Sequence, residues 1–279
     1  MAPACALLLV FVVGPILYSL YLAFTDTRLT GAAAANPQWI GLDNFSRLLE
    51  SPGLVNAVWL TTVFVVGSAV IGQNVLGLTI ALLLRNRSTL VKALVGAVIV
   101  SAYVFPEIVP SFMWFSLLST DGLVNTILAA ANLPAQSVLT DQPMVAIILA
   151  DVWRATAFSM LVYSAALSDI PSDLMEAANL DGAGYVRTLR SITLPLLRPT
   201  MFTNLMIITL PTLSLFTTIF VLTGGGPGDQ SETMPIFMYR QAFQFGDLAY
   251  GTAISMVLLG MGAVITIIYV LTLRPTKVH

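Results

Sequence analysis

Six apolar stretches of twenty residues or more dominate this sequence, at about 4–24, 57–84, 93–118, 143–167, 201–223 and 249–273. Crossing roughly 30 Å of hydrocarbon takes about 20 apolar residues in helix. Lipid offers no partner to an open backbone N–H or C=O, and barrel strands would be shorter and alternating, so these runs can only be helical. Composition agrees: 57% of the 279 residues are hydrophobic and 9% are charged, where a soluble domain needs roughly 25%. The reading is an all-α polytopic membrane protein, a single domain over 1–279 with six transmembrane helices. Pro15, Pro106, Pro110 and Pro211 lie inside spans and are expected to kink them.

Basic residues set the orientation. Arg85, Arg87, Lys92, Arg187, Arg190, Arg198, Arg274 and Lys277 fall in the loops 85–92 and 168–200 and in the tail, against only Arg28, Arg47 and Arg240 on the other side. Eight against three puts both termini in the cytoplasm. The first span has no basic flank and no cleavage site, so it reads as a retained helix. Asn36 to Gly41 is turn-rich, and Leu42 to Leu49 reads as a short amphipathic helix at the interface.

Several chemistries are excluded. A net charge of −2 gives no reason to bind nucleic acid. Cys5 is the only cysteine and His279 the only histidine, which removes internal disulfides, imidazole catalysis and histidine metal sites. Gly224 to Gly228 is glycine-rich but lacks the Lys and Ser/Thr of a phosphate loop, so it reads as a flexible outer turn.

The largest inner loop, 168–200, carries helix signals. Ser172 after Pro171 is an N-cap candidate with Asp173 in the first turn. Gly182 and Gly184 should end a first helix. A second should run from Tyr185 to about Thr193, stopped by Pro195 and Pro199. Two short helices projecting from a membrane make a docking knob; a solvated loop fits the charges equally well.

Within that loop Glu176-Ala177-Ala178, Gly182, Ile192 and Leu194-Pro195 occupy every fixed position of the pattern EAA-x3-G-x9-I-x-LP. It resembles the EAA loop of binding-protein-dependent ABC importers. Trp39 to Phe45, Asp151-Val152-Trp153-Arg154, Asp181-Gly182-Ala183 and Gly225-Gly226-Pro227 with Tyr239 resemble carbohydrate-type permeases, the maltose and glycerol-phosphate class. The resemblance implies a type I importer permease fold with a cytoplasmic coupling (EAA) helix, in a bacterial plasma (inner) membrane. It implies half of a translocation pathway for a sugar or related solute, completed by a second permease in a heterodimer. Two ATP-binding cassette subunits would bind ATP and Mg, this chain binding no cofactor, and an extracytoplasmic solute-binding protein would deliver cargo. Glu176, Ala177, Ala178, Asp181 and Gly182 would then make the coupling contact, with Ile192, Leu194 and Pro195 packing the second helix against the spans.

Charged residues in lipid are costly and are functional by default. Asp151 and Arg154, at i and i+3, can pair and lock span four to a neighbour; Glu107 follows Pro106 and suits an outer gate. Gln73, Asn74, Trp114, Tyr163 and Asn204 complete the pathway candidates, since sugars are held by aromatic faces and hydrogen-bonding side chains. Each has an alternative use, in hydrogen bonds between helices or as an aromatic anchor. The small number of intramembrane cations favours a neutral sugar over a phosphorylated one. A secondary transporter would give the EAA segment no role, and an intramembrane enzyme lacks HExxH and GxSxG motifs.

Overall fold

The computed structural model describes residues 6–272; Cys5, the basic tail residues Arg274 and Lys277, and His279 lie outside them, as do the outer limits of the first and last apolar stretches. Among the described residues there is helix and no strand, only a single antiparallel bridge between Thr25 and Trp39. The helices are α1 (Ala6–Leu22), α2 (Asp43–Leu49), α3 (Pro52–Arg85), α4 (Thr89–Val104), α5 (Ile108–Leu118), α6 (Leu123–Ala130) and α7 (Pro143–Ser168). They continue as α8 (Ser172–Leu180), α9 (Tyr185–Thr188), α10 (Leu194–Leu213), α11 (Thr217–Leu222), α12 (Met234–Tyr239) and α13 (Leu248–Thr272), with single turns of helix at Ala32–Ala35 and Val138–Asp141 in the connections. Four segments are long and apolar enough to cross a membrane: α3, Ile108–Ala130, α7 and α13. The apolar helices α1 and α4 are shorter.

Two expected spans are not single helices. The stretch 93–118 divides at Phe105-Pro106-Glu107, where Phe105 is extended (φ −61°, ψ 142°). A residue before proline is pushed out of the helical region by the ring, so Pro106 ends α4 where only a kink was expected. The stretch 201–223 likewise stops at Leu213, just after Pro211, and restarts as α11. Pro110 lies in the first turn of α5, where its missing N–H costs nothing. Pro15 follows a wide π turn at Leu9–Val13, which leaves room for its ring.

The chain forms two compact units. In the first, made of the described residues up to Thr62 with Gly224–Ile265, Leu48, Leu54, Ala57, Met234, Phe237, Tyr250 and Ile254 form the core. Asn44, at the start of α2, is buried and donates to the carbonyls of Ala23 (2.9 Å) and Thr25 (2.8 Å), which fixes the expected short helix against the chain before it. The glycine-rich segment is not an open linker. Arg240 Nη2 donates to Gly224 O at 3.1 Å, and Ser231 donates to Gly225 O and Gly226 O.

In the second unit, Val63–Thr223 with the described residues from Thr266 on, α7 is the central helix, and half or more of its most apolar stretch is buried. Its closest neighbour is the later half of α3. At Gly77 a Cβ would lie 2.9 Å from Met160 N, so only glycine lets the two backbones approach this closely. Ala81, Tyr163, Leu167 and Leu197 close the core below this contact.

Candidate functional site

Within the second unit, α3 contains a π-helical stretch, Val66–Gln73. The wider turn brings Ser68 and Gln73, five residues apart, onto one acceptor. Asp151 Oδ2 on α7 accepts from Ser68 Oγ at 2.6 Å and from Gln73 Nε2 at 3.0 Å. Gln73 Nε2 also reaches Thr212 Oγ1 of α10 at 3.3 Å. Arg154 Nη2 lies 3.6 Å from Asp151 Oδ1, an ion pair inside α7 and not between helices. The expected pair thus forms within α7, and its Asp151 joins span four to α3 by accepting from Ser68 and Gln73. Arg154 Nε is buried without a hydrogen-bond partner.

Gln73, Asp151, Arg154 and Thr212 form the wall of a cavity of about 420 Å³, lined also by Tyr103, Glu107, Phe158 and Phe216. Glu107 stands at the break between α4 and α5. Its Oε1 accepts from Thr218 N (3.3 Å) and Thr218 Oγ1 (3.2 Å), tying the break to α11. The cavity thus offers two carboxylates, an arginine, an amide and aromatic faces to whatever enters it.

The remaining pathway candidates lie elsewhere. Asn74, Tyr163 and Asn204 are buried in a separate knot. Asn204 Nδ2 donates to Ser159 Oγ at 3.0 Å, Tyr163 Oη at 3.2 Å and Asn74 Oδ1 at 3.3 Å, and Tyr163 Oη donates to Asn74 Oδ1. Three helices meet there, α3, α7 and α10, as polar groups commonly join helices in bundles. Trp114 is half-buried, edge-on to Trp153 at 6.2 Å, and is not in the cavity lining. Ser68, Tyr103, Thr212 and Thr218 were not anticipated. A serine five residues before a glutamine aligns with it only on a π turn, which has no sequence signature here.

The EAA-type segment folds as α8, a turn at Asp181–Gly184, and α9. Gly182 has φ +71°; its N–H bonds Asn179 O (3.0 Å) and the Ala183 N–H bonds Ala178 O (2.9 Å). These two bonds are the Schellman termination, which needs a left-handed residue and so favours glycine. A Cβ on Gly182 would meet nothing within 4 Å, so backbone conformation alone demands glycine within this chain. Ser172 is the first helical residue and not the cap: the cap is Pro171, with no side-chain bond. The second helix does not stop at Pro195 either. A π turn at Leu189–Thr193, with the Leu194 N–H on Leu189 O, carries it into α10; such widening relieves the clash that a proline ring makes with the carbonyl four residues back. Glu176, Ala177, Asp181, Gly182 and Pro195 are exposed, Ile192 and Leu194 half-buried, and Ala178 buried within the chain. Leu180 is 88% exposed, beside exposed Tyr185 and Val186.

Known proteins share this architecture. The chain of a bacterial ABC transporter involved in import of the acidic polysaccharide alginate superposes with a TM-score of 0.84, at 23% identity, covering 99% of this chain and 93% of that one. The sulfoquinovosyl glycerol transport system permease protein SmoG of Agrobacterium fabrum is 30% identical over 98% of this chain and 89% of its own length. The trehalose/maltose transport system permease protein MalF of Thermococcus litoralis is 31% identical over 96% and 90%. The model of the binding-protein-dependent transport system inner membrane component matches residues 73–275, from the cavity wall of α3 through the EAA-type segment to the end of α13. The chain belongs to that family: it is an ABC transporter permease, a membrane subunit that leaves the hydrolysis of ATP to separate subunits.

Proposed function

We propose that this chain forms half of the translocation pathway of an importer for a sugar or related solute, and that ATP hydrolysis reaches it through Glu176–Pro195. One observation carries the coupling assignment: the EAA pattern falls on a helix closed by a Schellman turn, with an exposed acid and an apolar end. Glu176 and Asp181 face outward as acceptors, Ala177 allows close approach, and exposed Leu180 supplies apolar area for a partner groove. Ala178, Ile192 and Leu194 hold the two helices to the chain, and Pro195 marks the start of α10. The partners are a second permease, two ATP-binding cassette subunits that bind ATP and Mg, and an extracytoplasmic solute-binding protein. A 23%-identical neighbour has been seen with its periplasmic protein carrying an alginate pentasaccharide.

The chain acts as a single permease domain crossing the inner membrane six times, with both termini in the cytoplasm. The four long apolar helices and the excess of basic residues in the inner loops support this topology. The cavity lined by Gln73, Glu107, Asp151 and Arg154 is the pathway wall. Asn74, Tyr163 and Asn204 hold the helices around it, and Trp114 braces α5 on α7. The names of SmoG and MalF and the polar, aromatic lining support a sugar cargo.

Coupling is tested on the assembled importer in vesicles. Gly182→Arg and Glu176→Lys should each reduce uptake at least tenfold, with the ATPase subunits no longer stimulated by loaded binding protein and membrane insertion unchanged. Normal uptake in either variant would remove the coupling role from this segment.

A further inference from the structure

A second cavity, of about 710 Å³, opens between the end of α3, the start of α4, the last turns of α7 and α8. Its lining is mixed: it includes Arg85 and Lys92 together with Leu84, Gly96, Met160 and Leu161. Neither Arg85 nor Lys92 makes an ion pair with another described residue. Glu176, also in the lining, leaves a local balance of one positive charge, which a monoanionic group neutralises. Ala81, Leu167 and Ile170 add apolar surface to the same lining, and Gly96 leaves it open: a Cβ there would meet nothing within 4 Å.

We infer that this groove holds an anionic glycerophospholipid, its phosphate on Arg85 and Lys92 and an acyl chain along Gly96, Met160 and Leu161. A soluble phosphate would satisfy the cations and leave the apolar wall uncovered; a neutral lipid would cover the wall and leave the cations unmatched. Juxtamembrane Lys and Arg attract anionic lipid, each contributing about a factor of five in affinity. The inference rests on the cytoplasmic placement of the α3–α4 loop, where that leaflet carries the negative charge. Because Ser172, Met175 and Glu176 of α8 line the same groove, a bound lipid would brace the coupling helix from the membrane side.

The test uses the full chain, purified with limited delipidation, and native mass spectrometry against added phosphatidylglycerol. The wild type should retain one phosphatidylglycerol that Arg85→Gln/Lys92→Gln loses, with affinity lowered about 25-fold. Arg187→Gln/Arg190→Gln, an equal charge change outside the groove, should retain it. Gly96→Leu, which keeps both cations and fills the apolar wall, should also lose it. Equal retention in the double variant or in Gly96→Leu would overturn the proposal. So would displacement by glycerol 3-phosphate at the concentration of lipid, or equal retention of phosphatidylcholine. Uptake assays do not enter, so this result stands apart from the coupling assignment.

Discussion

Asp151 and Glu232 are both buried acids set beside an arginine, one in each compact unit, and the two arginines are used differently. Arg240 is engaged at both terminal nitrogens. Its Nη1 donates to Glu232 Oε1 at 2.8 Å and to Asp229 Oδ1, and its Nη2 to Gly224 O, so a single guanidinium ties the start of the glycine-rich loop to two acids beyond it. Arg154 stands 3.6 Å from its acid with Nε unpartnered, while Asp151 takes its short hydrogen bonds from neutral Ser68 and Gln73. A guanidinium with both terminal nitrogens engaged by acids and a carbonyl holds a fold together. One with a buried donor to spare beside a cavity has capacity left for a ligand, because a buried unpaired donor is costly until something meets it.

The largest effect should come from breaking the Arg240 cluster. Arg240→Met leaves Glu232, 5% exposed, without its counter-charge and releases the Gly224 carbonyl. Removing one member of a buried ion pair costs about 3 kcal/mol. In detergent the first unit should lose thermal stability by that amount, read by local unfolding of α12 in hydrogen exchange. Unchanged protection there would mean that the loop is held by its backbone bonds alone.

The pair of Asp151 and Arg154 should respond in function instead. Asp151→Asn keeps an acceptor for Ser68 and removes the charge that faces Arg154. We expect uptake by the assembled importer to fall about tenfold, close to 1.4 kcal/mol, with thermal stability lowered by about 0.6 kcal/mol, the usual scale of one hydrogen bond between helices. The reverse pattern, normal uptake with a large loss of stability, would make Asp151 a packing residue and erase the contrast with Glu232.

Much of this was legible in the sequence, for identifiable reasons. α3, α7 and α13 come from unbroken apolar runs long enough to span, and length alone predicts them. Gly182 announced its turn because a left-handed helix end leaves few alternatives to glycine. The break at Ser214 had only Pro211 as a warning, and the passage of helix through Pro195 depends on a π turn that composition does not encode. The pathway candidates were the least legible. Gln73 and Asn74 are adjacent amides on one helix, and a step of one residue turns a side chain by about 100°. That step sends Gln73 to the cavity wall and Asn74 into the sealed knot with Tyr163 and Asn204. Only the neighbouring helices decide which is which, and their placement is tertiary.

The smallest effect sharpens the comparison through pH. Burial pushes the Glu232 carboxyl above its ordinary value of 4.5; Arg240 opposes the shift and Asp229 adds to it. The folded unit therefore binds this proton more readily than the unfolded chain. The sign follows: the stabilisation is fully present below the unfolded value and is lost as pH rises through the higher folded value. Wild-type stability should thus increase as pH is lowered through that folded value towards 4.5. Glu232→Gln, which fixes the neutral form, should be slightly more stable than wild type at neutral pH, by under about 1 kcal/mol, and lack this part of the pH dependence. Since Arg240 keeps Asp229 and Gly224 O as acceptors in the variant, the clamp survives the loss of one charge. A Gln variant clearly less stable than wild type at neutral pH would show that the ion pair outweighs the burial of its acid, and that the Arg240 clamp depends on charge as well as on hydrogen bonds.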